Sequence, residues 1–161
     1  MDKGMEEERD RSSKTEKNFI RGRNYLIHLL AVRDYTTKEI ENKLKKEDYP
    51  DEVVEEVIQY GLERHYLDDM RYAEDYIRFR QGSKSIRQLK YQLSQKGIAN
   101  YILDQIEVED SREELLEQVI RYRNKKAGTD YEKDAKTYQY FVRKGYNSSL
   151  VKDILRNISH K

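Results

Sequence analysis

The apolar residues of this chain recur in adjacent pairs four positions apart. Tyr25, Leu26, Leu29 and Leu30 are spaced i, i+1, i+4, i+5, which lines one side of an α-helix and does not fit the two-residue alternation of a strand. The same form returns at Val53, Val54, Val57 and Ile58, at Leu115, Leu116, Val119 and Ile120, and at Leu150, Val151, Ile154 and Leu155. Shorter stripes lie between them: Ile40 and Leu44; Tyr72, Ala73, Tyr76 and Ile77; Leu89 and Leu93; Ile98, Ile102 and Ile106; Tyr138, Phe141 and Val142. The pattern predicts nine helices and an all-α fold.

The polar residues between the stripes read as helix starts and stops. Thr36-x-x-Glu39, Ser85-x-x-Gln88, Ser111-x-x-Glu114 and Thr129-x-x-Glu132 each place a hydroxyl three residues before a Glu or Gln, the signature of a capping box. Asp68 and Asn147 are the expected N-caps of the fourth and ninth helices, with Asp69 in the first turn after Asp68. Tyr49-Pro50 ends one helix and opens the next, where Asp51 and Glu52 face the positive end of the helix dipole. The first helix is expected to end near Arg33-Asp34, and Gly97 and Gly145 stand where a left-handed residue stops a helix. Residues 1–18 carry almost no apolar side chain, so burial cannot repay their ordering entropy, and a mobile charged tail is expected there.

The nine stripes fall into three groups of three. Moving back 49 places sends Leu93, Gly97, Ile98, Ile102 and Ile106 to Leu44, Asp48, Tyr49, Val53 and Val57, and moving forward 48 places sends them to Phe141, Gly145, Tyr146, Leu150 and Ile154. Four of these five columns are apolar in all three copies. The expected organisation is therefore three tandem three-helix repeats, at 19–67, 68–110 and 111–161, stacked into an elongated, curved array because each is too small to bury a core alone.

Composition narrows the chemistry. The 161 residues include 39% charged residues, one proline and no cysteine, which excludes disulfides and thiolate metal sites. His28, His65 and His160 have no ligand spacing. No glycine-rich phosphate loop or nucleophile motif is present, and Asp68 and Asp69, adjacent on a helix, do not converge on one substrate. Neither an enzyme nor a cofactor is expected. No apolar run approaches the roughly 20 residues of a membrane span, so no membrane association and a cytoplasmic location are expected.

The charges are unevenly placed. Residues 23–68 carry seven basic and eleven acidic residues, whereas 111–161 carry twelve and seven. From Tyr76 to Leu103 there is no acid, while Arg78, Arg80, Lys84, Arg87, Lys90 and Lys96 stand among Tyr76, Phe79, Tyr91 and Tyr101. A second acid-free run, Gln118 to Thr129, holds Arg121, Arg123, Lys125 and Lys126. Such runs suit an acidic protein surface or nucleic-acid phosphate, with tyrosines available for base stacking. Charge alone does not choose between them, and a solvated face balanced by nearby acids is the plainer alternative.

Tyr66-Leu67-Asp68-Asp69-Met70-Arg71-Tyr72-Ala73, followed by Ser94-Gln95-Lys96-Gly97-Ile98 and Arg143-Lys144-Gly145-Tyr146, resembles the RecX family of bacterial RecA regulators, as does Ala31-Val32-Arg33-Asp34-Tyr35-Thr36. The resemblance spans roughly Arg23 to Ile158. It implies three tandem three-helix repeats and a monomer that lies along the RecA filament on single-stranded DNA and suppresses filament growth, ATP hydrolysis and strand exchange during recombination and the SOS response. The ten basic residues named above are then the expected contacts with filament acids or DNA phosphate, with direct binding to single-stranded DNA weak or through the filament. A stand-alone helical DNA-binding protein with helix-turn-helix-like units and a purely structural adaptor are the alternatives. Two departures stand out: Asp48 occupies a common glycine position, and Ser85-Ile86 replaces a frequent Gly-Pro.

Overall fold

The computed structural model describes the backbone of residues 2–159 and the side chains of residues 13–158. Among the described residues there are nine helices and no strand: α1 (Asp2–Val32), α2 (Thr37–Lys46), α3 (Asp51–Glu63), α4 (Asp69–Arg80), α5 (Ile86–Gln95), α6 (Asn100–Leu103), α7 (Arg112–Asn124), α8 (Asp130–Arg143) and α9 (Ser148–Ser159). The expected all-α fold with three groups of three helices is observed. No helix among the described residues is long and apolar enough to cross a membrane.

Two elements differ from expectation. Residues 2–18, expected as a mobile tail, form the first turns of α1. Burial is not needed there, because extending an existing helix costs far less than nucleating one and Glu, Lys and Arg are good helix formers. The sixth helix was expected to carry Ile98, Ile102 and Ile106 but is only the four residues of α6. Asp104, Glu107, Glu109 and Asp110 follow it, and acids are unfavourable at the negative end of a helix. Ile98 and Ile106 are buried nonetheless, from irregular backbone on either side.

The described chain divides into two compact units. The first holds the residues up to Tyr72 with Lys96–Ile102, and the second Ala73–Gln95 with the residues from Leu103 on. The first is built on Leu26, Ile40, Leu44, Val53, Val54, Val57 and Leu67, so the stripes of α1, α2 and α3 meet in one core. The second contains a cluster of Leu115, Val119, Phe141, Tyr146, Val151, Ile154 and Leu155 from the last three helices. Phe141 lies 5.7 Å from Tyr122, 5.0 Å from Tyr140 and 5.7 Å from Tyr146, centroid to centroid, in edge-on contacts. Much of the tyrosine complement thus serves packing.

Two helix starts are closed by residues far along the chain, and in the same way. Thr36, fully buried, accepts from the Glu39 amide at 3.1 Å, as expected of a capping box, and also donates to the Lys96 carbonyl at 2.7 Å. Ser85, also fully buried, accepts from the Gln88 amide at 3.1 Å and donates to the Lys144 carbonyl at 2.9 Å. The next residue repeats the parallel: the Thr37 amide donates to Asp69 at 2.9 Å and the Ile86 amide to Asp110 at 2.8 Å. The glycines after the two accepting lysines permit this approach. Gly97 has φ +89, and a Cβ there would lie 2.3 Å from the Lys38 Cβ; Gly145 has φ +97, and its Cβ would meet the Ser85 hydroxyl at 3.0 Å. Asp48, at the matching place in the first repeat, also has positive φ, at 62°.

The two closures are not identical. The Thr37 hydroxyl adds a 3.0 Å bond to Asp69 that Ile86 has no group to match. The Ile86 amide would be absent had this chain a proline there. Burial raises the pKa of Asp110 above its ordinary 3.8, against the opposing hydrogen bond from Ile86. The folded state therefore holds a proton at Asp110 more tightly than the unfolded chain does, so this group's contribution to stability falls as pH rises through the raised value.

Thr36→Val and Ser85→Ala each remove an accepted and a donated bond and are expected to lower the unfolding free energy by about 2 kcal/mol in urea titrations. Thr129→Ala, at an exposed cap whose hydroxyl accepts from the Glu132 amide, is expected to cost about 1 kcal/mol. Asp110→Asn keeps an oxygen for the Ile86 amide and removes the half-buried charge. It is expected to be more stable than the natural chain at pH 7, with the gap closing as pH falls toward 3.8, read from paired urea titrations across that range.

Candidate partner-binding surface

The basic run after Asp75 begins on the C-terminal half of α4. Arg78 is exposed, 2.6 Å from the Asp75 carboxylate and 5.2 Å from the centre of the Phe79 ring. Arg80 lies over Tyr76, its guanidinium carbon 3.7 Å from the ring centroid, and the Tyr76 hydroxyl donates to Gln92 of α5 at 2.7 Å. This chain of contacts fixes a cation on the surface before any partner arrives, which reduces the ordering cost of binding. Phe79 is 76% exposed and Tyr91 65%, so large aromatic faces stand beside the cations.

Lys84 and Arg87 are exposed, and no ion pair engages either among the described residues. The stem of Arg87 passes the Gly145 turn, where a Cβ would lie 3.4 Å from its own Cβ. Lys90 behaves differently: half-buried, it donates its ammonium to the Ile106 carbonyl at 2.9 Å. Its charge is spent on holding the irregular backbone after α6. Lys96 is half-buried in the first unit, where its carbonyl receives Thr36.

The second basic run ends α7. Arg121 and Lys125 are exposed, and Lys126 lies 4.6 Å from the centre of the Tyr122 ring. Arg123 is turned inward. Its side chain is 13% exposed, with Asp134 at 2.8 Å and Asp130 at 3.1 Å. The hydrogen bond that it donates to Asp134 is the main cause that holds its pKa above the ordinary arginine value. The structure thus brings Arg78, Arg80, Lys84 and Arg87 onto α4, α5 and their connection, and Arg121, Lys125 and Lys126 onto the end of α7. Lys90 and Arg123 are engaged within the fold.

The motif acids serve the backbone. The Arg71 amide donates to Asp68 at 3.0 Å, as expected of an N-cap, while Asp69 receives Thr37. Of the aromatics that the sequence sets among these cations, Phe79 and Tyr91 are exposed, whereas Tyr76 is half-buried. Their signal in the sequence is that both fall outside the buried positions of their helices, Ala73 and Ile77 in α4 and Ile86, Leu89 and Leu93 in α5. No group of three or more His, Cys, Asp or Glu that could hold a metal occurs among the described residues.

These features define a tandem three-helix-repeat protein with a basic, aromatic-flanked surface. Family models for the first, second and third three-helix domains of RecX match residues 23–60, 68–105 and 109–155. The chain belongs to the RecX family. It is 28% identical over 152 residues to the regulatory protein RecX of Clostridium perfringens strain SM101, covering 90% of this chain and 72% of that protein. To the regulatory protein RecX of Actinobacillus pleuropneumoniae serotype 5b it is 30% identical over 127 residues, covering 76% and 83%. The crystal structure of RecX from Lactobacillus salivarius shares the fold, with a TM-score of 0.80 at 23% identity over 91% of this chain and 99% of that one.

Arg123→Ala is expected to lower stability by about 1 kcal/mol in urea unfolding, because its bonds to Asp134 and Asp130 are lost. Arg121→Ala, on the exposed face, is expected to stay within about 0.5 kcal/mol of the natural chain.

Proposed function

We propose that this chain binds the RecA filament assembled on single-stranded DNA and regulates it, chiefly by inhibiting its ATP hydrolysis and strand exchange. The observation that carries the reading is the set of exposed cations Arg78, Arg80, Lys84 and Arg87 on an acid-free stretch of a RecX-family chain. Membership of a family whose relatives are named regulatory proteins supports it. Three tandem units give one chain several places to touch successive subunits of a filament, and linked weak contacts multiply into tight binding without any one of them being strong. Contacts of that kind alter how subunits add and leave, and need no catalytic group. Such a partner places the chain in the cytoplasm, acting as a monomer.

A second reading, direct binding of single-stranded DNA, is favoured by Phe79 and Tyr91 beside the same cations. Stacking on exposed rings with phosphates on the arginines would give affinity without RecA and a steep dependence on salt. Titrating the chain against single-stranded DNA in the absence of RecA, across ionic strength, separates the two.

The test of the first reading is the double variant Lys84→Glu with Arg87→Glu, compared with the natural chain as an inhibitor of RecA's DNA-dependent ATPase. The concentration for half-inhibition is expected to rise at least about tenfold, with helical circular dichroism unchanged. Undiminished inhibition by the folded variant would remove these residues from the interface.

A further inference from the structure

Between α6 and α7 the chain runs without regular structure from Ile106 to Ser111, and its side chains alternate as in an extended strand. Ile106 is buried and Asp110 half-buried, whereas Glu107 and Glu109 are exposed. Val108 has the place of Ile106 and Asp110 in this alternation but is 37% exposed, and it borders a hollow on each side. One, of about 390 Å³, has Ile77, Ile106 and Val108 as its apolar part, beside Glu74 and Glu107. The other, of about 550 Å³, has Ile86, Val108 and Leu150, beside Glu109 and Asp153. Val108 is common to both.

The charge of this strip is the reverse of the surface described above. From Asp104 to Asp110 there are four acids in seven residues and no base. Of the two arginines at the hollows, Arg78 pairs with Asp75 and Arg112 with Asp153. No ion pair engages Glu107 or Glu109 among the described residues. A phosphate backbone would be repelled here, and Lys90 and Ile86 hold the strip in place from beneath through the Ile106 carbonyl and the Asp110 carboxylate.

We propose that residues 104–110 are a docking strip for an extended segment of a protein partner, one with lysine or arginine alternating with aliphatic side chains. Lying alongside the strip, such a segment directs its aliphatic side chains over Val108 into the two hollows and its cations toward Glu107 and Glu109. Extended backbone pairing with extended backbone supplies affinity while the alternating side chains supply selection. This surface adjoins the acid-free one at Arg78, which borders one hollow, but its acids and apolar hollows are distinct from the cations and do not depend on their function.

The probe is a fluorescein-labelled peptide of alternating lysine and valine, titrated with the full chain by fluorescence anisotropy. A glutamate-valine counterpart and an unlabelled single-stranded oligonucleotide serve as comparisons. Binding of the basic peptide is expected, with a dissociation constant raised about tenfold or more by Glu107→Gln with Glu109→Gln, and likewise by Val108→Asn, which makes the apolar seat polar without adding charge. These positions lie on exposed irregular backbone, so unchanged circular dichroism is expected for both variants. No binding of the basic peptide, equal binding of the acidic one, displacement by the oligonucleotide, or unchanged affinity in either variant would overturn the proposal.

Discussion

A hydroxyl that closes a helix and at the same time grips a carbonyl from elsewhere is the bond on which this fold depends. Thr36 and Ser85 each accept from their own helix and donate to the last carbonyl before a glycine turn some sixty residues further on. A Cβ at Gly97 would clash with the Lys38 side chain and one at Gly145 would press on the Ser85 hydroxyl, and both positions have positive φ, which is why glycine follows each accepting lysine. Both hydroxyls are fully buried, so an unmade bond there would carry the whole desolvation cost of the group. The apolar stripes decide that helices form; these contacts fix where the helix ends meet.

The same economy governs the acids. Asp69 and Asp110 are each placed to receive the first free amide of a helix that precedes them in the chain, which commits two of the protein's carboxylates to its backbone. The exposed charge that remains is segregated. Cations concentrate on α4, α5 and the end of α7, and anions on α3 and on the strip after α6. A chain with a net charge of only +1 thereby carries local fields of both signs, and these orient a charged partner better than a uniform surface does.

Much of this was legible in the sequence. The i, i+1, i+4, i+5 stripes and the hydroxyl-x-x-Glu boxes locate the helices because both signals are local, set within one turn. The repeat register follows from the same stripes, and the family models likewise divide the chain into three three-helix domains. The roles of Asp69 and Asp110 were not legible as bonds, since their partners lie 32 and 24 residues away and no periodicity reports a contact of that range. For the same reason a count of positive charges does not distinguish Arg123, locked between Asp130 and Asp134, from Arg121 two residues earlier. Nor does it separate Lys90, held by a carbonyl, from Arg87. The length of α1 was missed because burial was the criterion, and a helix extended from a packed nucleus does not need it.

The direction of the long-range bonds bears on how the chain is made. In both closures the helix start precedes its acceptor, by 60 residues for Thr36 and 59 for Ser85. During synthesis the first of these helices emerges before Asp69, which accepts from its first amide, and before Lys96, which accepts from its hydroxyl, so both long-range bonds await the second repeat. The second waits in turn for Lys144. Each repeat is thus completed by the one made after it, and assembly is ordered from the N-terminal end by the sequence positions of two carbonyl groups.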